Sequence, residues 1–216
     1  MMGRGEGGFT LVELIVSVFV FSLISAGMYQ VLFGQARGGE VIKANSDIAE
    51  EVRMGFARMV RDTREADVLT AASPTSFTIK VNFNGDGLYQ NPNSQGDDEI
   101  LTYAFDETAG TITLNGQVLM RGVSKPGNPA EDVFQYSSNF LEYDWPTPPA
   151  TAGDGTTTWL ELDRAPDYGV IGVGNDNGML DAGEFPYITT IAFSAKVSQG
   201  GRSSNYYATS QLRNRV

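Results

Sequence analysis

The residues that could do chemistry begin with a single acid in a long apolar run. Glu13 is the only charged side chain among the 23 residues from Leu11 to Phe33, a helical length of about 35 Å that would cross a hydrocarbon core of about 30 Å. A carboxylate in a bilayer costs roughly 2.5–3.5 kcal/mol on insertion scales, so it predicts a function and a cationic partner. If the chain is cut after Gly8, the new α-amino group of Phe9 supplies that cation. Pairing with the amine of a neighbouring helix would neutralise both charges and set the register between subunits.

A second group of candidate residues lies in an Asn- and Gly-rich loop near the C-terminus. Calcium takes six to eight oxygen ligands, and helix-loop-helix calcium loops place them at alternate positions around a turn glycine, with a Glu last. Gly178 fits the turn glycine, and the ligand positions then hold Asn175, Asn177, Asp181 and Glu184, with Leu180 as the buried anchor. The first ligand position falls on Val173, which has no side-chain oxygen. The loop therefore predicts a Ca2+ site with one ligand missing.

A similar loop precedes it in the chain. Asn82, Asn84 and Asp86 alternate as calcium ligands would, but the closing acid falls on Asn93. Asn, Asp and Gly are also the residues that build turns, because they adopt left-handed backbone and make local side-chain hydrogen bonds. The sequence leaves both interpretations open for both loops.

The composition excludes several kinds of chemistry. The 216 residues contain no histidine and no cysteine, which removes Ser-His-Asp and Cys-His nucleophile systems, most zinc sites and any disulfide. No pair of carboxylates stands in a recognisable catalytic setting, so we expect that the protein is not an enzyme. The net charge of −11 argues against nucleic acid as a partner, because phosphate binding relies on clusters of Lys and Arg.

The elements that would carry these residues divide the chain into four parts. We predict a leader peptide over residues 1–8, a transmembrane helix over 9–37, an amphipathic second half of the same helix over 38–70, and a β-rich domain over 71–216. The amphipathic half is indicated by apolar residues that recur at a helical period, namely Val41, Ile48, Val52, Phe56 and Met59. A cluster of glycines at positions 34, 38 and 39 predicts a weak joint between the two halves.

Alternating apolar and polar residues predict the strands of the domain. The Asn115-Gly116 pair predicts a two-residue hairpin turn. The strand candidates are residues 77–81, 100–105, 111–114, 117–120, 133–136, 158–162, 188–197 and 206–212. A Pro-, Thr- and Gly-rich stretch over 145–155 predicts an exposed loop, and Tyr143 and Trp145 beside it form either a contact surface or an attachment to the core.

The N-terminal residues carry a resemblance to a known family. Gly8 followed by Phe9-Thr10-Leu11-Val12-Glu13 resembles the processing and methylation motif of type IV prepilins and type II secretion pseudopilins. The resemblance implies cleavage between Gly8 and Phe9 by a prepilin peptidase, N-methylation of Phe9, and a role for Glu13 in assembly. An ordinary secretory signal differs, since its apolar region is shorter and its cleavage site follows that region.

The resemblance also implies a fold, a place and a function. The fold is α+β and pilin-like, with a long N-terminal helix packed on an antiparallel sheet. The protein would be a single-pass inner-membrane protein with an exported, periplasmic domain, and then a subunit of a type IV pilus or a type II secretion pseudopilus.

Its length and missing cysteines suggest a minor subunit of the W-type pilin or J-type pseudopilin kind, with other pilin subunits as partners. Several pseudopilins bind calcium, which favours metal in the two loops. A membrane-anchored or filament-tip binding module, either an adhesin or a receptor for exported protein, is the alternative.

Overall fold

The computed structural model describes residues 10–89, 99–127, 131–146, 153–199 and 202–213, with the side chains of residues 34–47, 199 and 202 excepted. The chain forms two compact units, Met1–Ser46 and Asp47–Val216. The first helix, α1, runs from Leu11 to Glu65 and contributes to both units.

Helix α1 contains no proline, and its backbone is helical through the glycines at 34, 38 and 39. The helix ends at Glu65, so the predicted bound at residue 70 is wrong: Val68–Ser73 forms the first strand, β1. The change of structure has a local cause. The backbone N–H of Asp67 donates to the carbonyl of Lys80 at 2.9 Å, which starts the ladder between β1 and the next strand.

The part of α1 in the second unit has one buried face. Val52 and Met59 are fully buried and Phe56 nearly so, whereas Ile48 is half-buried. The Phe56 ring lies 6.1 Å from that of Tyr206, measured between centroids. The amphipathic period predicted these residues as core, while the side chain of Val41 lies outside the described residues.

The first sheet is an antiparallel meander in which each strand pairs with the next along the chain. Its strands are β1 (Val68–Ser73), β2 (Ser76–Lys80), β3 (Ile100–Asp106), β4 (Thr111–Leu114) and β5 (Gln117–Arg121). Asn115 and Gly116 both adopt positive φ, 50° and 80°, as a type I′ hairpin turn requires. The predicted hairpin between β4 and β5 is therefore confirmed.

The second sheet is also antiparallel, with the order β10-β9-β7-β8 and with β6 paired to β9. Its strands are β6 (Val123–Ser124), β7 (Phe134–Ser138), β8 (Thr157–Thr158), β9 (Thr190–Gln199) and β10 (Arg202–Gln211). An N-terminal apolar helix followed by antiparallel sheets confirms the predicted α+β, pilin-like fold class.

The core of the second unit joins the two sheets through aromatic rings. Phe77 of β2 stacks on Tyr103 of β3, with ring centroids 4.9 Å apart. The same Phe77 ring meets Phe134 of β7 edge-on at 5.1 Å and Phe193 of β9 at 5.6 Å. These four side chains are almost completely buried, and aromatic pairs in such geometry add about 0.5–1.5 kcal/mol each beyond the burial of their area.

One predicted strand is a helix. Residues 158–162 were predicted as strand, but the strand ends at Thr158, and α2 occupies Trp159–Asp163. Thr158 caps the helix: its hydroxyl accepts from the backbone N–H of Glu161, and the Glu161 carboxylate accepts from the backbone N–H of Thr158 at 2.6 Å. This reciprocal capping box satisfies backbone donors that would otherwise be free, so it favours a helix over the strand that alternation suggests.

Candidate functional site

The C-terminal acidic loop is built against the end of α2. The carboxylate of Asp163, the last residue of that helix, accepts the backbone N–H of Asn177 at 3.2 Å and that of Gly178 at 2.7 Å. It also accepts the N–H of Asn175 at 3.4 Å. Asp163 is fully buried. The sequence interpretation did not include it, because it lies one residue beyond the segment predicted as strand and outside the loop pattern.

A glycine permits this close approach. Gly174 has φ = 69°, and a Cβ at that position would overlap the carbonyl oxygens of Leu162 and Asp163. The backbone N–H of Asp176 donates to the Asp163 carbonyl at 2.8 Å. The start of the loop is thus fixed to the end of α2 by main-chain contacts that only glycine at position 174 allows.

Inside the loop, the carboxylate of Asp181 accepts hydrogen bonds from two side-chain amides. The side-chain amides of Asn175 and Asn177 donate to its Oδ2 at 2.7 and 3.1 Å. The backbone N–H of Gly183 donates to its Oδ1 at 3.0 Å and, as the largest cause, lowers the pKa of Asp181. The predicted ligand residues Asn175, Asn177 and Asp181 are therefore brought together.

Glu184, the predicted last ligand, bonds back to the loop at Asp181. Its side chain is fully buried, and one oxygen, Oε2, accepts the backbone N–H of Asp181. The other oxygen, Oε1, is buried and has no hydrogen-bond partner in the described residues. Burial, assisted by the charges of Asp181 and Asp163, raises the pKa of Glu184 to about 7. The predicted anchor, Leu180, is half-buried against the core.

The earlier loop is arranged differently. Two of its predicted ligands bond to each other, since the Asn84 amide donates to Asp86 Oδ2 at 2.9 Å. The third, Asn82, accepts the backbone N–H of Gly85 through Oδ1 at 2.9 Å. The buried Glu99 accepts the Asn84 N–H at 3.3 Å. Asn93, where the closing ligand was sought, lies outside the described residues.

Neither loop holds a metal group made of strong ligands alone. Among the described residues, no set of three or more Asp, Glu, His or Cys side chains is arranged to hold a metal ion. A cation in either loop would therefore also need amide and backbone carbonyl oxygens, which calcium accepts.

The aromatic residues considered as a contact surface are packed into the second unit. The Trp145 ring stacks on Tyr168, with centroids 4.5 Å apart, and its Nε1–H donates to the carbonyl of Glu161 at 3.0 Å. Tyr143 meets Tyr187 edge-on at 5.6 Å. Both Tyr143 and Trp145 are half-buried against the core, as expected of aromatics that attach a loop to the domain.

At the other end of the chain, Glu13 caps its own helix. Thr10 precedes α1, and its backbone N–H and its hydroxyl both donate to Glu13 Oε2 at 3.0 Å. The backbone N–H of Glu13 donates in return to the Thr10 hydroxyl at 3.3 Å. This capping box was readable in the sequence as Thr-x-x-Glu. Gly8 and Phe9, the predicted processing and methylation residues, lie outside the described residues.

The helix behind this cap presents apolar side chains on every side. Leu11–Phe33 is the one helix in the described residues that is long and apolar enough to cross a membrane, and none of it is buried within the chain. The hydroxyls of Ser17 and Ser22 donate to backbone carbonyls of the helix at 2.7 Å each. These two hydroxyls are thus satisfied within the helix, as a hydrocarbon environment requires.

Comparison with known proteins identifies the N-terminal segment. Residues 3–29 match the family described as "Prokaryotic N-terminal methylation motif". The chain carries this methylation motif at its N-terminus. No curated protein and no solved structure matches the chain. The matched segment covers the predicted processing residues, Glu13 and the larger part of the apolar helix, and it supports the prepilin-type family.

The prepilin-type segment and the acidic loop differ in how far sequence alone revealed them. Gly8, Phe9 and Glu13 lie close together in the sequence and form one local motif. The loop contact of Asp163 instead joins residues separated by about a dozen positions and depends on where α2 ends. The signal that could have revealed it was the Thr158-x-x-Glu161 capping box, which places the end of a short helix just before the loop.

Proposed function

We propose that this protein is a structural subunit of the minor pilin or minor pseudopilin kind, which is cleaved after Gly8 and assembled through its N-terminal helix. The observation that carries the proposal is the N-terminal methylation motif over residues 3–29, which coincides with an apolar helix that buries none of its surface within its own chain. In a filament, identical or related helices would cover that surface.

Glu13 supports assembly by lateral packing. In an apolar surrounding its carboxylate needs a cation, and the described part of the span offers no Lys or Arg. Cleavage after Gly8 would give each subunit an α-amino group at Phe9. A neighbouring subunit could then neutralise Glu13 while Thr10 continues to cap the helix, because Thr10 remains in the mature chain.

The setting that follows is an inner-membrane protein with an exported, periplasmic domain that enters a type IV pilus or a type II secretion pseudopilus. A prepilin peptidase and other pilin or pseudopilin subunits are the partners. The absence of cysteine and a two-sheet domain, with ten strands in the described residues, favour a minor subunit of the W-type pilin or J-type pseudopilin kind. The lack of His and Cys supports a structural role rather than an enzymatic one.

A membrane-anchored or filament-tip binding module is the second candidate function. It would use the same helix as an anchor and would need an exposed contact surface on the domain. Tyr143 and Trp145 were the residues suggested for that surface. Their half-buried packing against the core favours the subunit role instead.

Intact-mass measurement and N-terminal sequencing of the protein from its own membranes test the proposal. We expect a mature chain that starts at Phe9 and carries one added methyl group. Gly8→Ala should abolish the mature form, whereas Gly7→Ala, a matched glycine substitution one residue earlier, should leave it unchanged. A chain that still starts at Met1 in cells with an active prepilin peptidase would overturn the proposal.

A further inference from the structure

We propose that the loop from Val173 to Glu184, together with Asp163, binds one Ca2+ ion. In this site Asp163 supplies the carboxylate that the loop itself lacks at Val173. The site is thus composed of two separate segments of the chain, the C-terminal end of α2 and the loop that follows it after an interval. It is independent of cleavage and assembly.

The first observation that supports the site is the position of Asp163. A calcium loop of this type takes its first ligand from the residue at its beginning, and Val173 there is buried and apolar. The Asp163 carboxylate contacts the backbone N–H groups of Asn177 and Gly178, which are the fifth position and the turn glycine of the pattern. It therefore contacts the turn of the loop directly, and we assign it the place of the missing ligand.

The second observation that supports the site is the buried carboxylate of Glu184. Its carboxylate is fully buried, and Oε1 has no hydrogen-bond partner in the described residues. Leaving a buried carboxyl oxygen without a partner is unfavourable, because its hydration is lost without replacement. The other oxygen of the same carboxylate bonds to the loop at Asp181, so the free oxygen belongs to a group held at the loop. A cation would satisfy it.

The charge balance supports the same conclusion. Within the described residues, no Lys or Arg forms an ion pair with Asp163, Asp181 or Glu184. Like charges held close together repel one another, so a bound divalent cation would convert a repulsive arrangement into an attractive one.

The donor set selects calcium over transition metals. All the available donors are oxygens, since the chain has no His or Cys, and hard oxygen ligands suit Ca2+ and Mg2+. The carboxylates of Asp163, Asp181 and Glu184 are not arranged to hold a metal ion by themselves, so the amides of Asn175 and Asn177 would complete an irregular set. Calcium tolerates such geometry, whereas Mg2+ requires a near-ideal octahedron and retains its water. The amide oxygens of Asn175 and Asn177 accept the backbone N–H groups of Asn177 at 3.1 Å and Met179 at 2.8 Å, and each oxygen has a second lone pair that could serve the ion.

Calorimetry and thermal unfolding of the full-length protein in detergent test the proposal. The protein is first stripped with EDTA and then titrated with CaCl2 or MgCl2. We expect binding of one Ca2+ and a rise of roughly 5–10 °C in the unfolding temperature at a hundredfold excess over Kd. Mg2+ should bind at least tenfold more weakly.

Variants separate ligation from folding. Asp163→Asn and Glu184→Gln should each weaken Ca2+ binding at least tenfold. In EDTA, Glu184→Gln should unfold at the same temperature as the wild type or higher, because it removes a buried charge. Asp176→Asn is the matched control: Asp176 lies in the same loop, is exposed, and has φ = 55°, which Asn tolerates. It should bind Ca2+ like the wild type.

Several results would overturn the proposal. Wild-type protein without a calcium-binding signal and without a thermal shift would exclude the site. Equal losses in Asp176→Asn and Glu184→Gln would mean that calcium only screens surface charge. Wild-type affinity in Asp163→Asn, or loss of binding in Asp86→Asn of the earlier loop but not in Glu184→Gln, would place any bound ion elsewhere.

Discussion

Asp62 is a buried carboxylate on α1 whose partners are all within the second unit. It is 1% exposed, and its Oδ2 accepts the hydroxyl of Tyr103 at 2.6 Å. Arg61 donates to Oδ1 from Nε and Nη2 at 3.0 and 2.9 Å, and Arg58 Nε lies 3.5 Å from Oδ2. Burial, followed by the bond to Asp62, raises the pKa of Tyr103 above its usual range. This single acid therefore links the helix to β3.

Removing the tyrosine hydroxyl tests that link. Tyr103→Phe keeps the stacked ring but leaves Asp62 with a buried oxygen that has lost its best donor, so we expect a loss of about 1–3 kcal/mol in the free energy of unfolding. Thermal or urea unfolding measures it. Tyr207→Phe is the control, because Tyr207 is 68% exposed and should change stability by less than about 0.5 kcal/mol. Equal effects in the two variants would contradict the role of Asp62.

At the scale of elements, α2 is short and depends on its ends. Five residues make too few internal hydrogen bonds to hold a helix alone. The capping box of Thr158 and Glu161 fixes its start, and the Trp145 indole bonds to the Glu161 carbonyl at 3.0 Å. These contacts fix the direction in which Asp163 leaves the helix.

Thr158→Ala should therefore destabilise α2 and the domain. Loss of a capping hydroxyl costs about 1 kcal/mol, and we expect faster amide hydrogen exchange at the N–H of Glu161, which donates to that hydroxyl. Thr156→Ala is the matched control, because Thr156 is exposed two residues earlier in the chain. The two variants are compared by hydrogen exchange and by urea unfolding without calcium. An unchanged exchange rate at Glu161 would mean that packing, not the cap, forms the helix.

The same element explains which parts of the molecule the sequence could predict. Long periodic segments were predictable, because Val52, Phe56 and Met59 repeat at the helical period and strands β2 and β3 alternate strictly. The α2 segment was not, since five residues are too few for a period to distinguish helix from strand. The end of α1 was misplaced because strand pairing from Asp67 onward overrides helical continuation.

The candidate site also contains residues that the sequence could predict and one that it could not. Asn175, Asn177, Asp181 and Glu184 were predictable, because a loop motif depends on local spacing alone. Asp163 was not, because its contact with the loop exists only once α2 ends beside Gly174. The capping of Glu13 by Thr10 was readable as a local pattern. Sites made of one segment are visible in a sequence, and sites that join two segments need the fold.

At the scale of the whole molecule, the chain combines two units whose apolar residues are placed differently. The first exposes a continuous apolar helix, and the second buries an aromatic core between two sheets. Glu13 belongs to the first unit, and its carboxylate has two separable properties: it caps α1 through Thr10, and it carries a charge. The capping property acts within one chain. The charge matters between chains, if subunits pair as proposed.

Glu13→Gln separates these two properties. Glutamine can still complete a capping box, but it cannot pair with the amine of a neighbouring subunit. That amine would then be left in an apolar surrounding without a counter-ion, which is strongly unfavourable. We expect normal cleavage after Gly8 and at least a tenfold drop in the fraction of subunits recovered in filaments, measured by quantitative immunoblotting of sheared or cross-linked assemblies. Thr10→Val, which removes the capping hydroxyl and keeps the charge, should assemble far better than Glu13→Gln. If Thr10→Val fails equally, capping explains the need for Glu13, and charge pairing between subunits is excluded.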